Sequence, residues 1–443
     1  MKTIRFIDLF SGIGGMRLAF ESAARSLNLE TECVLSSEIN SDAQLVYQKN
    51  FADTPLGDIR LIDKLPEHEI LLAGFPCQSF SYAGKKEGFG DTRGTLFFEI
   101  ARLIDTFKPQ AFIFENVRGL VSHDGGRTLE TIKGEIKSRG YSFDYFLLNS
   151  SNFSLPQNRV RVYLVGILNA SPQFGLISDL GPKDSHSSSH QQLSLFSPLS
   201  QPVTVADILE DNPDPKYDCS PEFVNALKQI VNNDFSRLHG RRLIDYRGGN
   251  SIHSWELGLR GECSLDEIEL MNLFILKRRN KEFGADQDGK LLTKEQIATF
   301  FSHPNLDEML DSLVTKKYLQ RNNNQYKPVS GNFSFEVYKF LDLHKISVTI
   351  VASDANRLGV YSHNRVRRIT PREAARLQGF SDSFILHPND DKAYHQLGNS
   401  VSINVVKAVA LEVIQNVLYS TKQKVSSWLI GKGDPSISAH PIN

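Results

Sequence analysis

The chain has 443 residues, enough to bury a large core and to divide into two or three domains. Its 50 basic and 51 acidic residues nearly cancel, which excludes a protein-wide polyanion-binding surface; any nucleic-acid contact must be local. Four cysteines, Cys33, Cys77, Cys219 and Cys263, are scattered with no Cys-x-x-Cys pair, which argues against a zinc site or a disulfide framework and suits a reducing compartment. The N-terminal residues enter a strand pattern without a signal-peptide apolar region, and no run approaches membrane-spanning length, so the expectation is a soluble cytoplasmic protein with no membrane partner.

Ile4 to Phe10 has a strand pattern, followed by Ser11-Gly-Ile-Gly-Gly15 and an amphipathic segment from Met16 to Ser26. Strand, glycine turn and helix are the opening unit of a nucleotide-binding α/β fold. Strand-like runs recur at Glu32–Ser36, Glu69–Ala73, Ala111–Phe114, Ser142–Leu148 and Arg161–Ile167, with helical patterns such as Gly94–Phe107 and Arg127–Arg139 between them. This alternation predicts a mostly parallel sheet covered on both faces.

The pattern changes near Asn169. Asp184 to Gln201 is rich in Ser, His and Gln and reads as a linker. Beyond it, Thr293–Phe301, Leu306–Thr315 and Tyr318–Val329 resemble the helix, helix and wing of a winged-helix module, a type that often contacts DNA; a helical insertion that only packs is the alternative. From Ser347 the α/β style returns, with Val348–Ala352 as a strand, Pro371–Gln378 as a helix and Val401–Tyr419 as a long final helix. The expected division is 1–168 as the first part of a catalytic, cofactor-binding domain, 169–345 as linker and second domain with the insertion at 264–329, and 346–443 as the return to the first domain.

Five constellations carry chemistry. The glycine turn is followed by Glu38 after a second strand, where a carboxylate can bind ribose hydroxyls, and by Asp58, which can accept from an adenine amino group. Nothing basic stands there to meet a pyrophosphate, which points from a dinucleotide towards S-adenosylmethionine. Cys77, in Gly74-Phe-Pro-Cys-Gln-Ser-Phe-Ser81, ends the apolar run Ile70–Ala73 at the sheet edge where α/β chemistry sits. Pro76 stiffens its approach, and the segment from Gln78 to Arg93, with Lys85, Lys86 and Arg93 among glycines, reads as a cationic lid that can favour a thiolate. Glu115-Asn-Val117 ends another strand on the same edge, where Glu115 can protonate a ring nitrogen. In Gln157-Asn-Arg-Val-Arg161, Arg159 and Arg161 alternate and so share a face, suited to a base carbonyl and a phosphate. Finally, Arg365 to Phe380 forms a basic stripe before Gly398-Asn-Ser-Val401.

Taken together, in this order, these segments resemble the DNA (cytosine-5)-methyltransferase family of the bacterial restriction-modification type, over about 1–168 and 346–419. The resemblance implies an α/β, Rossmann-like S-adenosylmethionine-dependent methyltransferase sheet with helices on both faces, plus a smaller target-recognition domain in the middle region. It implies that a cytosine flips out of duplex DNA, that Cys77 attacks its C6, that Glu115 engages N3 and the exocyclic amine, and that Arg161 holds O2 with Arg159 in support. Pro76 and Asn116 belong to the same catalytic motifs. It further implies cofactor contacts from Phe10, Gly12, Gly14, Gly15, Glu38, Ile39, Asp58, Ile59, Asn399 and Ser400. Ile39 stands where relatives often carry an aromatic, and Ala83 where some carry a small hydroxyl residue.

A tRNA cytosine-5 methyltransferase, a non-catalytic DNA-binding regulator and a Rossmann oxidoreductase are the competing readings. The long middle region and the intact Cys77, Glu115 and Arg161 set disfavour them. A stand-alone enzyme with one target domain suggests a monomer that shares its site, without a stable complex, with a cognate restriction endonuclease. Arg247-Gly-Gly-Asn-Ser-Ile-His253, beside Arg241, Arg242 and Arg260, is the expected groove-reading loop, with Arg241, Arg247 and His253 as contacts; no metal is expected. Substituting Arg247 should relax sequence preference, seen as methylation of sites differing at one base, rather than only weaken binding.

Overall fold

The computed structural model describes residues 3–76, 95–179, 203–246, 248–284, 290–329 and 335–430. Cys77, Ala83, Lys85, Lys86, Arg93, Arg247 and the 184–201 linker lie outside the described residues. The chain divides into two units: Met1–Val203 with Val348–Ala352 and Ala375–Asn443, and Thr204–Ser347 with Ser353–Ala374. Residues 353–374 thus group with the second unit, although they follow the point at which α/β patterning returns.

In the first unit, β1 (Thr3–Leu9) buries Phe6, Ile7 and Leu9 completely. The chain then turns through Phe10, Gly12 and Gly14, all with positive φ, into α1 (Gly15–Ser26). A Cβ on Gly14 would lie 2.1 Å from the Phe51 ring, so this position needs glycine for space as well as for its φ of +90°. β2 (Glu30–Ser37) leads to α2 (Ser41–Phe51), whose first turn is capped by the Asn40 side chain accepting from the Ala43 N–H at 3.0 Å. β3 (Ile70–Ala73), α3 (Thr95–Phe107), β4 (Ala111–Val117), α4 (Arg127–Ser138), β5 (Asp144–Asn149) and β6 (Val160–Ile167) follow.

The six strands order as β2-β1-β3-β4-β6-β5, with β6 alone running against the rest. The mostly parallel sheet expected from the alternation is present. Alternating side chains send Ile7, Leu9, Leu71, Phe112, Phe114 and Leu164 into one core with α3 and α4. Phe6 turns the other way to meet Phe20 of α1, ring centroids 4.8 Å apart.

The second unit holds α5 (Pro221–Ile230), β7 (Arg242–Leu243), β8 (Ser251–Ile252), α6 (Leu265–Lys277), β9 (Leu292–Thr293), α7 (Lys294–Ala298), α8 (Leu306–Thr315), β10 (Leu319–Asn322), β11 (Gln325–Pro328), β12 (Lys339–Phe340), β13 (Leu358–Ser362) and β14 (Arg365–Arg368). One five-stranded sheet, β14-β13-β12-β7-β8, packs on a core that includes Phe223, Leu227, Val337 and Phe340. A separate three-stranded sheet, β10-β11-β9, shares a second core with α6, α7 and α8 built on Trp255, Leu270, Phe274, Leu310 and Leu313. The middle helix is shorter than its sequence pattern. Thr293 caps it in a reciprocal capping box with Gln296, and the amides of both Phe300 and Phe301 fold back on the Ile297 carbonyl.

Four sequence expectations change after residue 345. Val348–Ala352 is not a strand: the backbone groups of Ile350 pair with the side chains of Gln157 and Arg159 instead of a ladder. After α9 (Pro371–Leu377) and α10 (Asp390–Asn399), the last helix, α11, runs Ile403–Ile430, well past Tyr419. Asp390–Tyr419 is also apolar and long enough to cross a membrane, contrary to expectation; it is mostly buried, because α11 packs against α1 and against β4 and β6 of the sheet. The basic stripe is largely consumed internally. Arg365 pairs with Asp218 at 2.8 Å, Arg376 with Asp382 at 2.8 Å, and Arg367 with Glu373.

The Arg367–Glu373 pair is the most buried of these. The guanidinium makes two bonds to the carboxylate, at 2.7 and 2.8 Å, and Glu373 also accepts from the Thr370 and Glu210 amides. Removing one partner of such a pair leaves a buried charge uncompensated and costs about 3–5 kcal/mol. Glu373→Ala should therefore lower the urea midpoint of the second unit, followed by Trp255 fluorescence, by far more than Asp218→Ala at the exposed Arg365 pair.

Candidate active site

The C-terminal ends of β1, β3 and β4 open on one pocket, with about 650 Å³ of atom-free space continuous with solvent. Phe10, Ser11, Gly12, Ile13, Gly15 and Met16 form its floor. Glu38, Asn40 and Ala43 line one side, Gly74 and Glu115 stand at the strand ends, and His395, Gln396, Asn399, Ser400 and Val401 supply the far wall. Glu38 braces two turns at once: its carboxylate accepts from the Gly12 N–H at 2.9 Å and from the Asn40 N–H at 2.8 Å. A carboxylate has about four lone-pair sites, so it keeps acceptor capacity for hydroxyls in the pocket.

Gly12 has a φ of +54° and open space where a Cβ would stand, so its conformation rather than crowding explains the glycine. Gly15 differs. A Cβ there would lie 2.9 Å from Ser400 Oγ and from Val401, and the missing methyl lets the turn after α10 close over the start of α1. Ser11 Oγ and Gln396 Nε2 are buried with no hydrogen-bond partner among the described residues. Unpaired polar atoms in a pocket wall suit a ligand that carries polar groups of its own.

Of the residues expected to hold the cofactor, Phe10, Gly12, Gly15, Glu38, Asn399 and Ser400 meet in this pocket. Gly14 backs onto Phe51, Ile59 is 2% exposed within the core, and Ile39 is 76% exposed outside the lining. The Asp58 carboxylate is taken by the Arg60 side chain, Nε at 2.8 Å, and by the Arg60 amide at 2.9 Å, with its pKa held below the usual carboxylate value chiefly by that side chain. Sequence reasoning missed Ser11 and Ile13, although they sit inside the glycine turn, and Met16 in the first turn of α1. It also missed His395 and Gln396, whose position before Gly398-Asn-Ser was the available signal. His395 Nε2 lies 3.1 Å from Asn399 Nδ2, one helical turn on.

Glu115 and Arg161 meet as expected at the edge of the sheet. Val117 pairs with Arg161 and Glu115 with Tyr163 across β4 and β6, so these side chains share one face. Arg161 Nε lies 3.3 Å from Glu115 Oε1, with both side chains under 16% exposed. Burial raises the Glu115 pKa, and the charges of Arg161 and then Arg159 oppose it. Asn116 is buried; its Nδ2 donates to the Phe75 carbonyl at 2.9 Å, fixing the backbone two residues before Cys77, while Pro76 is exposed.

Arg159 does something else. It is 3% exposed and donates to the carbonyls of Ile350 at 2.9 Å, Ser400 at 2.6 Å and Gly398 at 3.3 Å. Burial, reinforced by Arg161, pushes its pKa down to about 10. Its two terminal nitrogens are therefore committed to backbone carbonyls. Gln157 complements it, accepting from the Ile350 N–H and donating to the Leu377 carbonyl, both at 2.9 Å.

The expected groove-reading set is less coherent. Arg241 is half-buried, and His253 is 5% exposed, stacked on Trp255 at 4.5 Å with Nδ1 2.6 Å from the Ile244 carbonyl. His253 is a core residue, because stacking and a buried hydrogen bond satisfy it internally. Among the described residues no three His, Cys, Asp or Glu side chains group as metal ligands. Burial pushes the thiols of Cys33 and Cys219 up to about 12 and that of Cys263 up to about 11, so none of these three is a ready nucleophile at neutral pH.

The C-5 cytosine-specific DNA methylase family model matches residues 4–415. The chain is 57% identical to the Type II methyltransferase M.BanI of Aneurinibacillus aneurinilyticus over 93% of this chain and 96% of that one. It is 56% identical to the Type II methyltransferase M.HgiCI of Herpetosiphon aurantiacus over 93% and 98%. The S. pombe Dnmt2 methyltransferase shares the fold with a TM-score of 0.50 at 18% identity, covering 94% of this chain and 99% of that one. The Entamoeba histolytica methyltransferase EhMeth does so with a TM-score of 0.50 at 17% identity and the same coverage.

Asp8, one residue from the end of β1, is fully buried and neither carboxylate oxygen has a partner among the described residues. Burial, opposed by Arg17, pushes its pKa up to about 8. From the ordinary carboxylate range up to about pH 8 the folded protein keeps a proton that the unfolded chain has released, so this group's contribution to stability is lost as pH rises across that window. The urea midpoint of the wild type should fall between pH 5 and pH 8, and Asp8→Asn, neutral throughout, should flatten that fall; parallel profiles would show that Asp8 is ionised in the fold.

Proposed function

Because the chain belongs to the C-5 cytosine-specific DNA methylase family and is a DNA (cytosine-5) methyltransferase, we propose that it acts on a cytosine flipped out of duplex DNA, through a covalent bond from Cys77, with S-adenosylmethionine as methyl donor. The observation that carries this reading is the Glu115–Arg161 pair, buried at the strand end beside Gly74, three residues before Cys77. Burial shifts the Glu115 carboxyl towards its neutral form, the form that can give a proton to cytosine N3, while Arg161 opposes that shift.

The pocket fits the donor. Glu38 retains acceptor sites for ribose hydroxyls, Ser11 and Gln396 offer unpaired polar atoms, and Gly12 and Gly15 leave room at the turn. When bound, S-adenosylmethionine supplies a methyl group made electrophilic by its sulfonium. The residues of this chain do the rest. The Cys77 thiolate bonds to C6 of the base while Glu115 protonates N3, which makes C5 an enamine carbon able to accept a methyl group. Arg161 steadies O2 of the base and keeps Glu115 in place. C5 then loses its proton, the C6–S bond breaks, and N3 returns its proton as aromaticity is restored. Asn116 acts by position, holding the turn that delivers Cys77.

The identity to Type II methyltransferases over nearly the whole chain favours DNA over tRNA and supports a role in protecting host DNA from an endonuclease that cuts the same site. The enzyme would act as a monomer, without a stable complex with that endonuclease. Incubation with S-adenosylmethionine and a duplex pool containing 5-fluorocytosine should trap a covalent complex whose DNA reveals the target sequence. Cys77→Ser should abolish the adduct, and Glu115→Gln should slow turnover by roughly 10²- to 10⁴-fold with DNA binding retained. Absence of an adduct on duplex DNA with cofactor bound would overturn the reading.

A further inference from the structure

The second core of the second unit encloses a complete winged-helix arrangement: α6, β9, α7, α8, β10, a tight turn and β11, with β11 between β9 and β10. In DNA-binding relatives of this architecture the second helix of the pair enters the major groove. Here that helix is α8, and its charge forbids the usual use. Asp307, Glu308 and Asp311 are exposed on it, Asp307 in an ion pair with Lys294 of α7, and residues 306–315 contain no basic side chain. A duplex carries a phosphate charge about every 1.7 Å of its axis, so an anionic helix face is repelled from either groove.

The strands that follow have the opposite character. No acidic residue occurs between Asp311 and Glu336, while Lys316, Lys317, Arg321 and Lys327 lie in that stretch with Asn322-Asn-Asn-Gln325 at the turn. Two of the four cations are committed: Lys316 pairs with Glu267 at 2.8 Å, and Arg321 lies over the Tyr326 ring at 5.6 Å and reaches Asp311 at 3.4 Å. Lys317 and Lys327 have no carboxylate partner among the described residues. The backbone that presents Lys317 is fixed, because its carbonyl accepts from Arg260 Nη1 at 2.6 Å. The exposed amide side chains of Asn323 and Asn324 can both donate to and accept from a sugar-phosphate backbone.

The geometry points to the β10–β11 wing as a sequence-independent grip on the phosphate backbone of duplex DNA, with α8 held out of the groove. This rests on duplex DNA being the substrate. It separates two tasks within the second unit: the wing contributes affinity and salt dependence, and base discrimination belongs to other segments.

The test is fluorescence-anisotropy binding to a cognate and a scrambled 40-base-pair duplex across a salt series, with wild type, a wing variant (Lys317→Asn with Lys327→Gln) and a helix variant (Asp307→Asn, Glu308→Gln and Asp311→Asn). Asn suits the left-handed backbone at position 317, where φ is +61°. The wing variant should lose about 1.8 from the slope of log K against log salt, roughly 0.9 for each phosphate contact, equally on both duplexes. Its cognate-to-scrambled ratio, and its methyl transfer at saturating DNA, should match the wild type. An unchanged slope in the wing variant, or a cognate-to-scrambled ratio altered by the helix variant, would overturn the inference. Failure of the wild type to methylate any duplex would instead overturn the reading on which it rests, so the two failures are distinct.

Discussion

Two neighbouring polar side chains, Gln157 and Arg159 on the turn into β6, hold the first unit together where its chain returns after the second unit. Between them they bond the backbone at Ile350, Leu377, Gly398 and Ser400, positions about 190 to 240 residues away. Each is buried, so a broken contact leaves a polar group unsatisfied at roughly 1–3 kcal/mol, more for the charged guanidinium. Gly398 makes the close approach possible: a Cβ there would lie 2.3 Å from the Ala352 nitrogen. The segment 348–352 is therefore threaded between a glycine and two side-chain clamps, which is why it takes no place in a sheet.

The pocket depends on that seam. Its floor and near side come from strand ends of the first 120 residues, but Asn399, Ser400, Gln396 and His395 close it only because Arg159 seats the carbonyls of Gly398 and Ser400. Gly15 admits the same turn from the other side. A buried cation so spent on backbone is a positioning group. Arg161, two residues on, keeps its charge for Glu115. Two arginines two residues apart, one on the turn and one on β6, thus divide the labour between holding the fold and tuning a carboxyl, because one guanidinium reaches the return segment and the other reaches β4.

Charge elsewhere follows a related economy. Most arginines of the 365–376 stretch pair with nearby carboxylates, the Arg367–Glu373 pair in full burial, so a run that looks like a phosphate surface is mainly internal support. Lys317 and Lys327, which have no carboxylate partner among the described residues, stand instead at the wing, in a stretch that contains no acidic residue.

Local signals in the chain were sufficient, up to Ile167, for the order of the six strands and for α1, α3 and α4 though not α2, as well as for the parallel sheet and for bringing Phe10, Gly12, Gly15, Glu38, Glu115 and Arg161 to one edge, because glycine turns and apolar periodicity are short-range properties. They also marked the winged-helix strands, whose alternation and polar turn lie within a dozen residues. Tertiary structure alone decided the rest. Whether Asp58 faces a ligand or Arg60, whether Arg159 meets substrate or carbonyls, whether His253 reads a groove or stacks on Trp255, and whether 348–352 is a strand are set by partners far away in the chain or by competition among nearby charges. No pattern in the residues themselves records which of several possible hydrogen-bond partners burial will bring within reach.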